Sequence, residues 1–127
     1  MTDRQKKAEN RDNDQSDRLL EIVLAALEDI KGVDSKVIDV RGLTSITDRM
    51  VIVSGTSTRH IKALADNVVL KAKQHGFTAL GVEGESGSDW ILVDLADVVV
   101  HIMMPEIREF YALEKLWSVG DHNNASA

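Results

Sequence analysis

The chain has 127 residues, no cysteine and a formal net charge of −6. Disulfide and thiolate chemistry are thereby excluded, and no apolar run is long enough to span a bilayer. The lysines and arginines are scattered rather than gathered into a groove, so so acidic a chain is repelled by nucleic acid and leans instead toward a basic protein partner.

Residues 1–15 are polar and mixed in charge, with almost nothing to bury, and predict a disordered tail. They lack both the apolar stretch of a secretory signal and the acid-poor composition of a transit peptide, which points to the cytoplasm. Residues 119–127 predict a second disordered tail, leaving 16–118 as the one folded domain. Ser16 is placed to cap a first helix, whose stripe is Leu20, Val23, Leu24, Leu27 and Ile30, with Lys31-Gly32 as its stop. Lys36–Val40 alternates like a strand, and Arg49–Val53 is a continuous apolar run, as in a strand buried on both faces.

Ser54-Gly55-Thr56-Ser57-Thr58 opens a second helix with the stripe Ile61, Leu64, Ala65, Val68 and Ala72, closed by His75-Gly76. Backbone amides at that helix start could cradle a phosphate, but the second glycine and the lysine of a P-loop are missing, and capping explains the hydroxyls more simply. A third strand is predicted over Thr78–Val82, then an acidic loop over Glu83–Ser88, then strands over Trp90–Leu95 and Asp97–Met103. Pro105 begins a last helix with Glu106 near its positive end, and Ile107, Phe110, Leu113 and Trp117 form one stripe that docks on the sheet. Tyr111 and Glu114 lie beside that stripe, within reach of a partner. The order helix, two strands, helix, three strands, helix predicts a single α/β domain, a mixed five-stranded sheet flanked by helices.

The last two strands carry the functional information. A two-residue turn at Leu95-Ala96 sets Asp94 opposite Asp97, Leu92 opposite Val99 and Trp90 opposite His101. Side chains alternate, so Ile91, Val93, Val98, Val100 and Ile102 make an aliphatic core face. The other face carries Trp90, Leu92, Asp94, Asp97, Val99, His101 and Met103, a mixture suited to protein contact, with Trp90 as anchor. The alternative is that a helix covers this face and merely packs the indole. No metal site or catalytic centre is predicted: Asp89, Asp94 and Asp97 lack an Asp-x-Asp pair after the Gly-Ser turn, and the four histidines lack ligand spacing.

Six segments in order carry a resemblance. They are Ser45-Ile46-Thr47-Asp48; Gly55-Thr56-Ser57-Thr58-Arg59-His60; Gly81-Val82-Glu83-Gly84; Asp89 to Asp94; Asp97 to His101; and Tyr111 to Trp117. Across about residues 19–117 the chain resembles the ribosomal silencing factors of the Iojap family. The resemblance implies a nucleotidyltransferase-like fold without the catalytic carboxylates, and no cofactor. It also implies binding to the large ribosomal subunit through large-subunit ribosomal protein fourteen, so that the small subunit is sterically kept from joining and translation is repressed when nutrients are short. The implied contact face is the one around Trp90. The free chain is a candidate homodimer, and no direct nucleic-acid specificity or membrane association is expected. A nucleotide-binding or nucleotidyl-transferring enzyme of the related fold is the competing expectation.

Overall fold

The computed structural model describes the backbone of residues 2–84 and 87–117, and the side chains of 14–84 and 87–115. Helix α1 (Thr2–Asp29) leads into β1 (Val33–Asp39) and β2 (Arg49–Ser54), followed by α2 (Thr58–Gln74). Strands β3 (Gly81–Glu83), β4 (Trp90–Asp94) and β5 (Val98–Met103) come next, then α3 (Pro105–Tyr111) and α4 (Leu113–Trp117). The five strands form one sheet in the order β1-β2-β5-β4-β3. β2 and β5 run parallel at its centre, and the other pairs are antiparallel. This is the single-domain mixed α/β architecture that the sequence predicts.

Apolar periodicity explains the layers. Leu19, Val23, Ala26 and Leu27 of α1, and Ile61, Leu64, Ala65, Val68 and Ala72 of α2, pack on one sheet face against Val51, Val53, Ile91, Val93, Val98, Val100 and Ile102. All six residues of β2 are buried, as its unbroken apolar run predicts. The opposite face is only half covered. Over β1, β2 and β5, α3 and α4 bring Ile107 and Leu113 onto Val40, Met50, Ile52 and Met103. The cover reaches β4 only at Trp90, which packs against the same cluster, and further along β4 and β5 Leu92, Asp94, Val99 and His101 are only partly buried.

Four local expectations are corrected. Ser16 does not cap α1: the helix begins at Thr2, within the segment predicted to be a disordered tail, and Ser16 is a buried residue in its interior. Segment 1–15 holds no glycine or proline and is rich in helix formers, so a lack of residues to bury does not stop the backbone from coiling. β3 starts at Gly81 rather than Thr78, where pairing with Asp94 begins. The last helix is two helices, because Ala112 adopts a left-handed conformation (φ 48°, ψ 45°) and its amide donates to the Arg108 carbonyl. The break turns Leu113 inward but leaves Phe110 outside, 80% exposed, instead of in a docked stripe. The side chain of Trp117 and residues 119–127 lie outside the described residues.

The fourth correction is the β4–β5 register. Trp90 pairs with Met103, Leu92 with His101 and Asp94 with Val99, so Asp94 and Asp97 do not face each other. The turn falls on Ala96-Asp97, one residue later than predicted. Leu95 is buried and its amide donates to the Val98 carbonyl, whereas a turn at Leu95-Ala96 would have moved that leucine out of the core. Ala96 takes φ 69°, its amide donating to Asp94 Oδ1 at 2.9 Å, and the Asp97 amide donates across it to the Leu95 carbonyl. The slip amounts to two residues, an even number, so every side chain keeps its predicted face.

Candidate interaction face

Strand alternation sets Trp90, Leu92 and Asp94 of β4 and Val99 and His101 of β5 on the half-covered face. Trp90 and His101 lie diagonally across the two strands. The indole Nε1–H donates to His101 Nδ1 at 3.0 Å, and the ring centroids are 5.7 Å apart. Accepting at Nδ1 puts the neutral ring's proton on Nε2. Burial holds the imidazole neutral, with its pKa lowered from 6.5 to about 4.

The stack continues onto α3. The Tyr111 ring lies 5.0 Å from Trp90 at 53°, and Phe110 meets Tyr111 edge to face at 5.1 Å. Tyr111 is 52% exposed, so the ladder runs from a partly buried imidazole to a solvent-facing phenyl ring. Arg108 fixes the base of α3: its guanidinium grips Glu114 through Nε (2.9 Å) and Nη2 (3.1 Å), while Nη1 donates to Ser54 Oγ at 3.0 Å. That grip holds the Glu114 carboxyl below its ordinary pKa and leaves the side chain tied inward.

Beside Trp90 a groove of about 290 Å³ is lined by Glu83, Gly84, Trp90, Leu92 and His101. Gly84 has φ 112°, and a Cβ there would come within 2.7 Å of the Trp90 carbonyl oxygen, so only glycine brings the chain this close to β4.

Of the residues singled out in the sequence, Trp90, Leu92, Asp94, Val99 and His101 share this face. Asp97 is exposed in the turn, its carbonyl accepting from the amides of Asp48 and Arg49. Met103 is fully buried beneath the α3–α4 cover and offers no surface. Phe110 and Glu83 were not foreseen here. Glu83 stands opposite Leu92 and thus on the same face, a relation visible only once β3 is in register. Phe110 depends on a helix break that no glycine or proline announces.

The loop at the start of α2 is tied by bonds to its own chain. The Gly55 amide donates to the Met103 carbonyl and the Thr56 amide to His60 Nδ1. The His60 amide donates to Ser57 Oγ, and His60 Nε2 meets the Ile30 carbonyl at 2.6 Å. Those groups therefore cap α2 and tie it to α1, as the capping reading of the hydroxyls expects. Among the described residues, no group of three or more His, Asp or Glu converges to hold a metal ion, and no helix is long and apolar enough to cross a membrane. The face combines an aromatic ladder, an aliphatic floor and carboxylates along the rim.

Comparison with known proteins agrees with this architecture. Ribosomal silencing factor RsfS of Haemophilus influenzae is 48% identical over 100 residues, covering 79% of this chain and 98% of that protein. The chloroplastic Iojap protein of Zea mays is 34% identical over 93 residues, 72% of this chain and 40% of that protein. A crystal structure of a Chromobacterium violaceum protein, 46% identical, superposes with a TM-score of 0.78 over 80% of this chain and 85% of that one. The family described as ribosomal silencing factor during starvation matches residues 13–126, and the chain belongs to that family, RsfS.

Proposed function

We propose that this protein binds the large ribosomal subunit through large-subunit ribosomal protein fourteen and, by occupying that surface, keeps the small subunit from joining. It acts in the cytoplasm as a non-catalytic repressor of translation when nutrients are limiting. Relatives that carry the name ribosomal silencing factor support the reading, as does a family description that ties the role to starvation. The observation that carries it is the half-covered sheet face, where the Trp90–Tyr111–Phe110 ladder meets solvent at one end and Asp94 lies at the other, toward the turn that holds Asp97. Partly exposed aromatic anchors with a charged rim are the anatomy of a protein interface, and an acidic rim suits a basic ribosomal protein. A homodimer of the free chain belongs to the same reading, and sedimentation of the purified protein tests it.

Subunit joining, followed by light scattering with purified subunits, tests the main claim. Wild type suppresses the rise in scattering. Trp90→Ala removes an interface anchor worth ~2 kcal/mol or more and so weakens binding well over tenfold. Asp94→Arg replaces attraction by repulsion and is expected to be worse than Asp94→Ala. Folded Trp90→Ala and Asp94→Arg proteins that still block joining at wild-type concentrations would place the contact elsewhere. A nucleotide-handling enzyme is the other class considered. It would remain in the soluble fraction where a silencing factor co-sediments with free large subunits.

A further inference from the structure

We infer that the groove beside Trp90 receives one arginine side chain of the partner, its guanidinium stacked on the indole and paired with Glu83. This rests on the reading of the face as a ribosome contact, and it names what the central part of that contact recognises.

The groove is small. At about 290 Å³ it falls at the lower limit of cavities that hold a small-molecule ligand, and it is open to solvent along the sheet face, as suits a single side chain inserted from outside. Its lining is chemically one-sided. Trp90 and Leu92 offer apolar surface, while among the described residues Glu83 is the one lining residue with a formal charge. His101 adds no competing positive charge, because its Nδ1 is taken by the indole N–H and the ring stays neutral. The exposed Glu83 carboxylate makes no ion pair or hydrogen bond among the described residues, whereas Asp39, Asp66 and Glu114 each have a cationic partner.

An electron-rich indole next to a carboxylate without a partner among the described residues selects a flat cation. Trp is the best of the aromatic partners for a cation, and a guanidinium both stacks on the ring and fills both carboxylate oxygens. A lysine ammonium could meet the charge but not the plane. Gly84 keeps the groove open, since a side chain there would drive into the Trp90 backbone. Further along the face, Asp94 at the turn end of β4 extends the negative rim for the partner's other cations.

The test uses the full-length protein and two probes. The first is N-acetyl-arginine amide, titrated into the millimolar range while the Trp90 indole N–H resonance is followed by NMR, with N-acetyl-lysine amide alongside. Saturable shifts are expected with the arginine compound, weaker ones with lysine, and none with arginine in Glu83→Gln. The second is binding to purified large subunits, where Glu83→Gln is expected to weaken affinity about tenfold, the size of one charge-assisted contact. Equal responses to the two amides, or a Glu83→Gln protein that binds subunits like wild type, would overturn the arginine assignment. If Trp90→Ala loses subunit binding while Glu83→Gln keeps it, the assignment falls and the ribosome reading stands. If neither variant alters subunit binding, both fall.

Discussion

Trp90 and His101 are bonded on the diagonal of the β4–β5 ladder: the indole hydrogen points to His101 Nδ1 at 3.0 Å, although the direct cross-strand partners are Met103 and Leu92. The bond satisfies a partly buried indole N–H and fixes both the imidazole tautomer and the orientation of the indole. Its dependence on a neutral imidazole has a measurable consequence. His101 has its pKa lowered from 6.5 to about 4 by burial. Between those values the unfolded chain holds a proton that the folded chain does not, so the unfolded state gains on acidification. Stability from this group is therefore complete above pH 6.5 and is lost as pH falls toward 4. Denaturant unfolding at pH 7 and pH 4.5 should show a larger loss for wild type than for His101→Gln, whose amide oxygen can still accept the indole hydrogen. Equal losses in the two proteins would dismiss the role of His101.

Phe110 separates binding from folding. It is 80% exposed and touches the rest of the protein through Tyr111, so Phe110→Ala removes little buried surface. The expectation is a stability change within about 0.5 kcal/mol, as for ordinary surface substitutions. Large-subunit binding should fall several-fold if the ladder is the contact. Leu113→Ala, at the partly buried side of the same break, should cost about 1–2 kcal/mol of stability. A Phe110→Ala protein with unchanged subunit affinity would confine the contact to the sheet.

What the sequence disclosed and what it hid follow one physical line. Elements whose apolar spacing answers to a single packed face were legible: all five stripe residues of α2, the both-sides-buried β2, and the two faces of β4 and β5. Face assignment survived a register error because alternation is insensitive to an even slip. Positions decided by a backbone choice of one residue were not legible. Ala96 and Ala112 take positive φ without being glycine or asparagine, and each moved a neighbour: Asp97 into the turn, Phe110 into solvent. Met103 was misplaced for a different reason. Its face was assigned correctly, but its strand end lies under the α3–α4 cover, and which half of a sheet face is covered is a tertiary fact that periodicity does not encode.

Ala112 offers a direct test of that account. A non-glycine residue in the left-handed region carries strain of roughly 1 kcal/mol, and glycine relieves it at the cost of a more flexible unfolded chain. Ala112→Gly should therefore leave stability unchanged or raise it by up to about 1 kcal/mol. Ala112→Val, β-branched at φ 48°, should lower it by more than 1 kcal/mol. Denaturant midpoints with unchanged slopes are the readout, and a Val variant as stable as wild type would mean that the helix break is not as drawn.

Arg108 ties the two short helices to the sheet. Its side chain is mostly buried and makes three hydrogen bonds, two to Glu114 and one to Ser54, so one guanidinium joins α3, α4 and the end of β2. Removing one partner of such a pair strands the other's charge in a partly desolvated site, which is more costly than losing an exposed ion pair. Arg108→Met, which keeps the apolar stem, should destabilise by about 2–3 kcal/mol, and Glu114→Gln by somewhat less because Ser54 still accepts. The double variant should be better than the sum of the two, giving a coupling of about 1–2 kcal/mol in a double-mutant cycle. The same grip positions the Tyr111–Phe110 end of the ladder, since α3 has few other ties to the sheet. A charge-neutral Arg108→Met/Glu114→Met protein that regains stability should still bind large subunits less well than wild type, because the guanidinium fork sets a helix orientation that two flexible thioethers do not. Wild-type subunit binding by that double variant would show that the ladder is held by ring stacking alone.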